Sequence, residues 1–481
     1  MRKSVSLLSL LTILPTTSFC LSSCSANAIV IANYESYMNT LLINRLHKSH
    51  NVQFDYYQTN EQIVGKFAKN YDIAFPSSYT VYEMIKNNLV AKLDWTKFNL
   101  MSNPERYPSL SQEKITNAKP LSMYTSAAEQ ANDLTNAINL FADPVREVIN
   151  IFDTYGHTQQ YYNNETSILD YSIPYFHQDW LFGYTGQADQ DLDNPNISWF
   201  DALQYIMPKG SQQLSRFKKD GNHPRLAMID DGRSVYDFAN IVRCEEYNSS
   251  HSSQVRVGVN PPNNKASKQE ITNSYNALTQ YCKPNNFFLN TDSQQVLYAL
   301  GTEGVNGAFS YTGDILYALE GAGNDDYAEH WNQNNFHIVH PADTLHCMDL
   351  LVLNKKDQQK QNLYDIVKTI TLEGASAYSS PDKEDFIGKK DGDEFSYGPM
   401  LNFDAVAYTP PLYSVYKYCN NENNNYFSRD LAWTNVAKIK LAQNILQLNT
   451  NERSSDCYEH LLDSTTKMFM TIDWYQSREK F

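Results

Sequence analysis

The residues best equipped for chemistry sit just behind short apolar runs. Ala28 to Ala32 is followed by Asn33, Tyr34, Glu35, Ser36 and Tyr37. Tyr71 to Phe75 leads through Pro76 to Ser77, Ser78 and Tyr79. Arg225 to Ile229 ends in Asp230, Asp231 and Gly232. Tyr311 follows Ser310, and Asp349 opens a run that reaches Leu353, behind His346 and Cys347. The quadrupole of a tyrosine ring attracts a cation and a carboxylate neutralises it, so such a set suits an organic amine. Each residue also has a plainer role. Asp230 or Asp231 could cap the helix that follows, and most single tyrosines in a chain with 34 of them are packing residues. Their shared position after strands adds functional weight.

The elements that must hold these residues alternate. Ala28 to Ala32 reads as a strand buried on both faces. Met38, Leu41, Leu42 and Arg45 then fall at helical spacing, with the apolar members on one face. Val52 to Tyr57 is a second strand, and Thr59-x-x-Gln62 is a capping box for a helix with Ile63 and Phe67 inward. Tyr71 to Phe75 is a third strand, and Thr80-x-x-Glu83 a second box. The order strand, helix, strand, helix, strand, helix predicts a parallel, doubly wound sheet, whose ligands bind at the carboxyl ends of the strands. Residues 105–168 interrupt the rhythm as an insertion in which Ala137 to Ile151 reads as helix. The pattern resumes at Asp170 to Tyr175. Beyond it come a strand at Arg225 to Ile229, helices at Ser234 to Val242 and Ser293 to Leu300, and strands at Val305 to Ser310, Phe336 to Val339 and Met348 to Leu353. Gly186 to Asn196 and Asn248 to Lys268 have loop composition, and the last sixty residues read as helices.

The whole chain sets limits on partners. It has 481 residues, 54 acidic against 39 basic, and a formal charge of −15. Its polarity excludes a polytopic membrane protein, and the negative charge argues against nucleic acid. Arg2 and Lys3 precede the apolar run Val5 to Leu14, and the stretch ends in Leu21-Ser22-Ser23-Cys24, in signal-peptide order. The run is too short for a transmembrane span of ~20 residues. It resembles a bacterial lipobox, which implies cleavage before Cys24, acylation of that cysteine and anchorage on the extracytoplasmic face of the cell membrane. Loss of Arg2 and Lys3 takes the formal charge from −15 to −17. The five remaining cysteines are scattered without a C-x-x-C pair and are expected to be free thiols.

At this point the sequence resembles the spermidine/putrescine-binding proteins of bacterial ABC importers. Asn33-Tyr-Glu-Ser-Tyr37 resembles the family's Asn-Trp-Thr-Glu-Tyr, and Tyr71-Asp-Ile-Ala-Phe-Pro-Ser-Ser-Tyr79 its Tyr-Asp-Leu-Val-Val-Pro-Ser-Thr-Tyr. Asp170 to Tyr175, Ser198 to Leu203, Asp230 to Tyr236 and Met348 to Val352 are similar to family segments, and Ala407-Tyr-Thr-Pro-Pro411 is similar to Gly-Tyr-Pro-Thr-Pro. They keep the family's order over roughly residues 28–415, outside the insertion. The resemblance implies an α/β, two-lobe periplasmic-binding-protein-like fold, each lobe a mostly parallel sheet flanked by helices. A ligand would be trapped between the lobes on hinge closure. It places Tyr34 and Tyr311 at aromatic-box positions, Tyr37 and Tyr79 at family tyrosines, and Asp231 and Asp349 on ligand nitrogens. Ser36 and Ser234 stand where the family has glutamates, Glu35 could restore one charge, and Cys347 replaces a tryptophan.

On this resemblance residues 1–23 are the leader, 24–178 with 350–420 one lobe, 179–349 the other, and 421–481 C-terminal helices. The expected partners are a polyamine such as spermidine or putrescine, an ABC permease with its cytoplasmic ATPase, and the membrane through the lipid anchor. The chain itself is expected to be a monomer without cofactor or enzymatic activity. Two alternatives stay open: the same fold binding another cation, thiamine-like or ferric iron, and a surface lipoprotein enzyme. The sequence has no G-x-S-x-G, H-E-x-x-H or G-x-x-x-x-G-K-[ST], and Gly321-Ala-Gly323 lacks the third glycine of a dinucleotide loop. His337 and His340 sit in one expected strand, where residues three apart point to opposite faces, so a metal site with His346 is not expected. Asp391 to Glu394 is too short for a calcium loop.

Overall fold

The computed structural model describes residues 28–192, 194, 197–206, 226–281, 287–301, 304–320, 333–341, 343–391, 394–422, 426–429, 435–447 and 455–480. The leader with Cys24, Cys282 and the Gly321-Ala-Gly323 piece lie outside the described residues. The first three expected strands form as β1 (Ile29–Tyr34), β2 (Val52–Tyr57) and the short β3 (Ile73–Ala74). Between and after them run α1 (Thr40–His50), α2 (Glu61–Asn70) and α3 (Ser78–Lys86). Further along come β4 (Ser172–Thr185), β5 (Leu226–Ile229), β6 (Phe287–Asn290), β7 (Gly307–Tyr311), β8 (Phe336–Val339) and β9 (His346–Leu353).

The strand order is β2-β1-β3-β9-β4-β7-β5-β6, with β8 also on β4. β1 is parallel to β2 and β3, and β5 is parallel to β6 and β7. The joins between these two groups, β3 to β9, β9 to β4 and β4 to β7, are all antiparallel. The sheet is therefore parallel where crossover helices build it and mixed in the middle. There β4 carries the chain from one lobe to the other and β9 brings it back, so the two must run in opposite directions. Along Ser172 to Asp179, β4 pairs with β9; from Trp180 to Tyr184 it pairs with β7, and from Phe182 to Thr185 with β8 as well. β4 is buried along almost its whole length, as expected of a strand shared by two cores.

Local readings were adjusted by tertiary contacts. Asn39 caps α1 by accepting from the Leu41 amide, and the helix buries Leu42 and Leu46 while Leu41 faces solvent. Of the expected apolar face Met38 and Leu42 are buried and Leu41 is not, and Leu46, one turn on from Leu42, completes the buried side. Within the 105–168 segment the helices are α4 (Ala127–Asn132) and α5 (Asp143–Thr158), the latter opening on Pro144. Proline suits the first helical turn, where its missing N–H has no partner to lose, so the helix starts later than expected, and Ala137–Leu140 is a 3-10 turn capped by Asn136. Ile138, Leu140, Phe141, Val145, Val148 and Ile149 are fully buried. At roughly 1.5–3 kcal/mol per buried large apolar side chain, this segment is firmly tied to the core. Cys244, Cys347, Cys419 and Cys457 are free and buried.

The second lobe's helices include α6 (Trp199–Ile206), α7 (Gly232–Ser250) and α8 (Lys268–Thr279). The last helix, Ser464–Ser477, lies on α7 and α8, with the Trp474 ring 5.5 Å from that of Tyr275 and in contact with Gly232. Just before it, Tyr458 packs edge-on against Phe152 and hydrogen-bonds His177 at 3.0 Å. The C-terminal stretch thus touches both lobes. Among the described residues no helix is long and apolar enough to cross a membrane.

Candidate functional site

Asp349 lies within β9, on the strand rather than at its start, and is nearly buried at 3% exposure. Its Oδ2 accepts from the Tyr37 hydroxyl and from Gln178 Nε2, and its Oδ1 from the Ser77 hydroxyl, each at 2.6 Å. These donors hold the carboxyl group in one orientation. Burial nonetheless outweighs them and pushes it up to about 6. The donors are themselves positioned at the cost of ordinary helix caps. Ser77 stands at the N-cap of α3 without making the cap bond, because its hydroxyl is on Asp349. Asn60, at the N-cap of α2, likewise makes no cap bond; its Oδ1 accepts from the Ser77 amide and its Nδ2 donates to the Ser77 hydroxyl. Neither expected capping box forms. α2 starts beyond Thr59, and α3 starts at Ser78, two residues before Thr80, since both cap side chains build the floor under Asp349.

Around that floor stand tyrosines. Tyr37 meets Tyr34 edge-on at 5.6 Å, Tyr175 at 5.3 Å and Tyr408 at 5.6 Å, and Tyr34 lies 4.4 Å from Tyr57. Tyr34 is half-buried, whereas Glu35 and Ser36 are exposed on the turn after β1, with Ser36 at φ 57°.

The opposite wall comes from the second lobe. Asp231 caps α7, its Oδ1 accepting from the amides of Arg233 at 2.7 Å and Ser234 at 3.3 Å. Its capping and its place in the cleft therefore coexist. Burial, and next the charge of Glu61, push its carboxyl up to about 6. The hydroxyls of Ser234 and Tyr311 are 2.6 Å apart, and Tyr311 meets Trp180 edge-on. Arg233 is buried, with its guanidinium 5.2 Å from the centre of the Tyr79 ring. Its Nε donates to Asp237 at 2.8 Å and lies 3.5 Å from Glu459. Near the mouth Lys467 pairs with Glu83 at 2.5 Å, and Trp474 donates to Asp230 at 2.8 Å.

All nine residues singled out in the sequence, Tyr34, Glu35, Ser36, Tyr37, Tyr79, Asp231, Ser234, Tyr311 and Asp349, line one cleft of about 500 Å³ between the lobes. Among its described lining residues are eight carboxyl groups against three cations, Arg233, Lys467 and Arg478. Several lining residues were not singled out. Tyr57, Asn60 and Glu61 sit at the end of β2, where the strand-end rule applied to the other strands would have found them. Gln178 and Glu459 carry no such signal: one lies within a crossing strand, the other on the C-terminal stretch. His340 and His346 each approach Asp179, at 3.0 and 2.8 Å, while His337 stacks on Tyr184.

Two α/β lobes joined by crossing strands, with a cleft between them, define the periplasmic-binding-protein fold. The same fold is found in the spermidine/putrescine ABC transporter substrate-binding protein PotD of Streptococcus pneumoniae, at 13% identity and a TM-score of 0.50, and in the TpPotD lipoprotein of Treponema pallidum, at 13% and 0.51. Each match covers 94% of this chain and 99% of the other. The chain belongs to the MG045 family of hypothetical lipoproteins, whose pattern matches residues 1–480. No curated protein matches it.

Proposed function

We propose that this lipoprotein is a lipid-anchored, extracytoplasmic solute-binding protein that captures a polyamine and delivers it to an ABC permease with a cytoplasmic ATPase. The observation that carries this reading is Asp349, a buried carboxylate ringed by tyrosines on the floor of an acid-rich cleft. A buried carboxylate and aromatic faces favour an organic cation over a neutral or anionic solute. In this reading the lobes divide near residues 178 and 349, and Cys24 carries the acyl chains. Isothermal calorimetry with putrescine, spermidine, thiamine and ferric iron tests it. Saturable amine binding is expected, and a response to thiamine or iron alone would reassign the ligand. Mass spectrometry of the native N-terminus tests the anchor, and an unmodified terminus downstream of Cys24 would refute it.

A further inference from the structure

Lysines of the first lobe gather at the edge of the sheet away from the cleft. The last turns of α1, α2 and α3 carry Lys48, Lys69 and Lys86, all exposed. Just after α1 the Asn51 carbonyl accepts from the Ile29 amide, and just after α2 the Asp72 carboxyl accepts from the Val30 amide, so both helix ends lie beside the start of β1. β9 arrives antiparallel at the same edge: the Asn354 amide donates to the Asp72 carbonyl, and exposed Lys355, Lys356 and Lys360 follow. Lys355 Nζ donates to Asn88 Oδ1 at 2.6 Å, which joins the end of α3 to the row. Lys356 lies 3.7 Å from Asp72 and Lys360 2.5 Å from the buried Asp357, whereas Lys48, Lys69, Lys86 and Lys355 form no ion pair among the described residues. A basic last turn complements a helix dipole, which accounts for the first three lysines. It does not account for the others: Lys360 stands at the N-cap of the helix Gln361–Val367, where the dipole disfavours a cation.

Resting on acylation of Cys24, we propose that this lysine edge is a docking surface for anionic phospholipid. Only Ser25, Ala26 and Asn27 separate Cys24 from Ala28, the residue before β1. An extended chain spans at most ~3.6 Å per residue, so the start of β1 stays within about 15 Å of the anchored cysteine. Charges are largely screened beyond ~8–10 Å at 0.1–0.15 M salt, so a tether this short holds the lysines where lipid charge is felt, and a long one would not. The cleft lies at the opposite ends of the same strands. A molecule resting on its lysine edge therefore opens the cleft to the medium and keeps its acid-rich lining away from lipid of the same sign.

Cosedimentation of the chain from Ser25 onward, which keeps every described residue, tests the surface without the anchor. It should bind vesicles of equal parts phosphatidylglycerol and phosphatidylcholine at low salt, release at high salt and ignore phosphatidylcholine alone. Combining Lys48→Glu, Lys69→Glu and Lys355→Glu should weaken binding at least about thirtyfold, since one lysine near such a surface contributes roughly fivefold. Combining Lys265→Glu, Lys268→Glu and Lys440→Glu makes the same change in net charge elsewhere and should stay within about threefold. No binding to the anionic vesicles, or equal losses in the two triple variants, overturns the proposal. If the first triple variant does not fold, Lys48→Glu and Lys355→Glu singly, each at least about fivefold weaker, decide it. Two outcomes would assign the edge to a protein and overturn it: a salt-sensitive dimer in place of vesicle binding, or lysines protected from acetylation in native membranes but not in phosphatidylglycerol vesicles carrying the lipoprotein. A native N-terminus without acyl chains would remove the anchor and this inference with it. Failure of vesicle binding in a chain whose native form is acylated removes the docking surface alone.

Discussion

Asp349 combines two properties that a cation-binding carboxylate needs: three donors fix it in place, and burial makes its charge costly when no cation is near. The raised pKa has a defined sign. Asp349 binds its proton more tightly folded than unfolded, so its contribution to folding is present at low pH and is lost as pH rises through about 6. A bound ammonium offsets that loss. The stabilisation conferred by a saturating amine should therefore grow between pH 5 and pH 7.5, and affinity should fall by up to about tenfold per pH unit below the titration. Asp231 and Asp314, also pushed up to about 6 by burial, act in the same direction. Thermal melts across this range with and without putrescine measure it, and a ligand shift that is flat with pH would count against an ionised Asp349. Asp349→Asn should weaken amine binding by ~2–5 kcal/mol, roughly 30-fold to several thousandfold. Affinity within about threefold of wild type would make the residue structural.

At the level of elements, two helices have given up side-chain caps to build the site. Because Ser77 makes no cap bond to α3, Ser77→Ala should not carry the ~0.5–2 kcal/mol cost of losing a helix cap. It should instead remove a donor from Asp349, shift the pH midpoint of amine binding upward and leave helical circular dichroism unchanged. A midpoint that stays put would place the Ser77 bond outside the site's electrostatics. The junction between lobes has a tight contact of a different kind. A Cβ added at Gly313, beside Tyr311 and Asp314, would lie 2.1 Å from the Val406 carbonyl oxygen and 2.4 Å from the Tyr408 ring. Backbone cannot yield as a flexible side chain can, so Gly313→Ala should destabilise by ~1–3 kcal/mol in chemical denaturation. It should also disturb the bond from the Tyr408 hydroxyl to Asp314, 2.9 Å in the structure.

On the scale of the whole molecule, the lobes are joined by β4 and β9 and meet across the cleft through Arg233 on Tyr79 and Lys467 with Glu83. The Lys467 pair is partly exposed, and pairs of that kind contribute ~0–1 kcal/mol. A ligand held by both walls is the stronger tie. Saturation with amine should reduce the radius of gyration in solution scattering and slow proteolysis, with about 2.7 kcal/mol of added stability at one hundred times the dissociation constant. An unchanged radius with full occupancy would mean that the cleft does not close on its ligand.

Much of this was legible in the chain because it depends on local order. Alternating apolar runs and helices specify crossover units, and the position after a strand marked Tyr34, Glu35, Ser36, Tyr37, Tyr79, Asp231 and Tyr311, which share one cleft with Ser234 and Asp349. A strand-end residue points to the same edge of the sheet wherever the strand lies, which is why Tyr34, Tyr79 and Asp231 could be grouped without knowing their distances. Contacts between distant segments left no such trace. Ser77 and Asn60 read as parts of helix starts, and only the approach of β9 turned them towards Asp349. Arg233 read as an unremarked residue just before a helix, and only the folding of the C-terminal stretch against α7, with Tyr79 facing it from the other lobe, made it a cation inside the cleft. Periodicity records which face of an element is buried, but the partner that covers that face is chosen by packing across hundreds of residues. The sequence alone determined the fold class and the edge of the sheet where the cleft lies; the tertiary structure decided which charges in it are already paired.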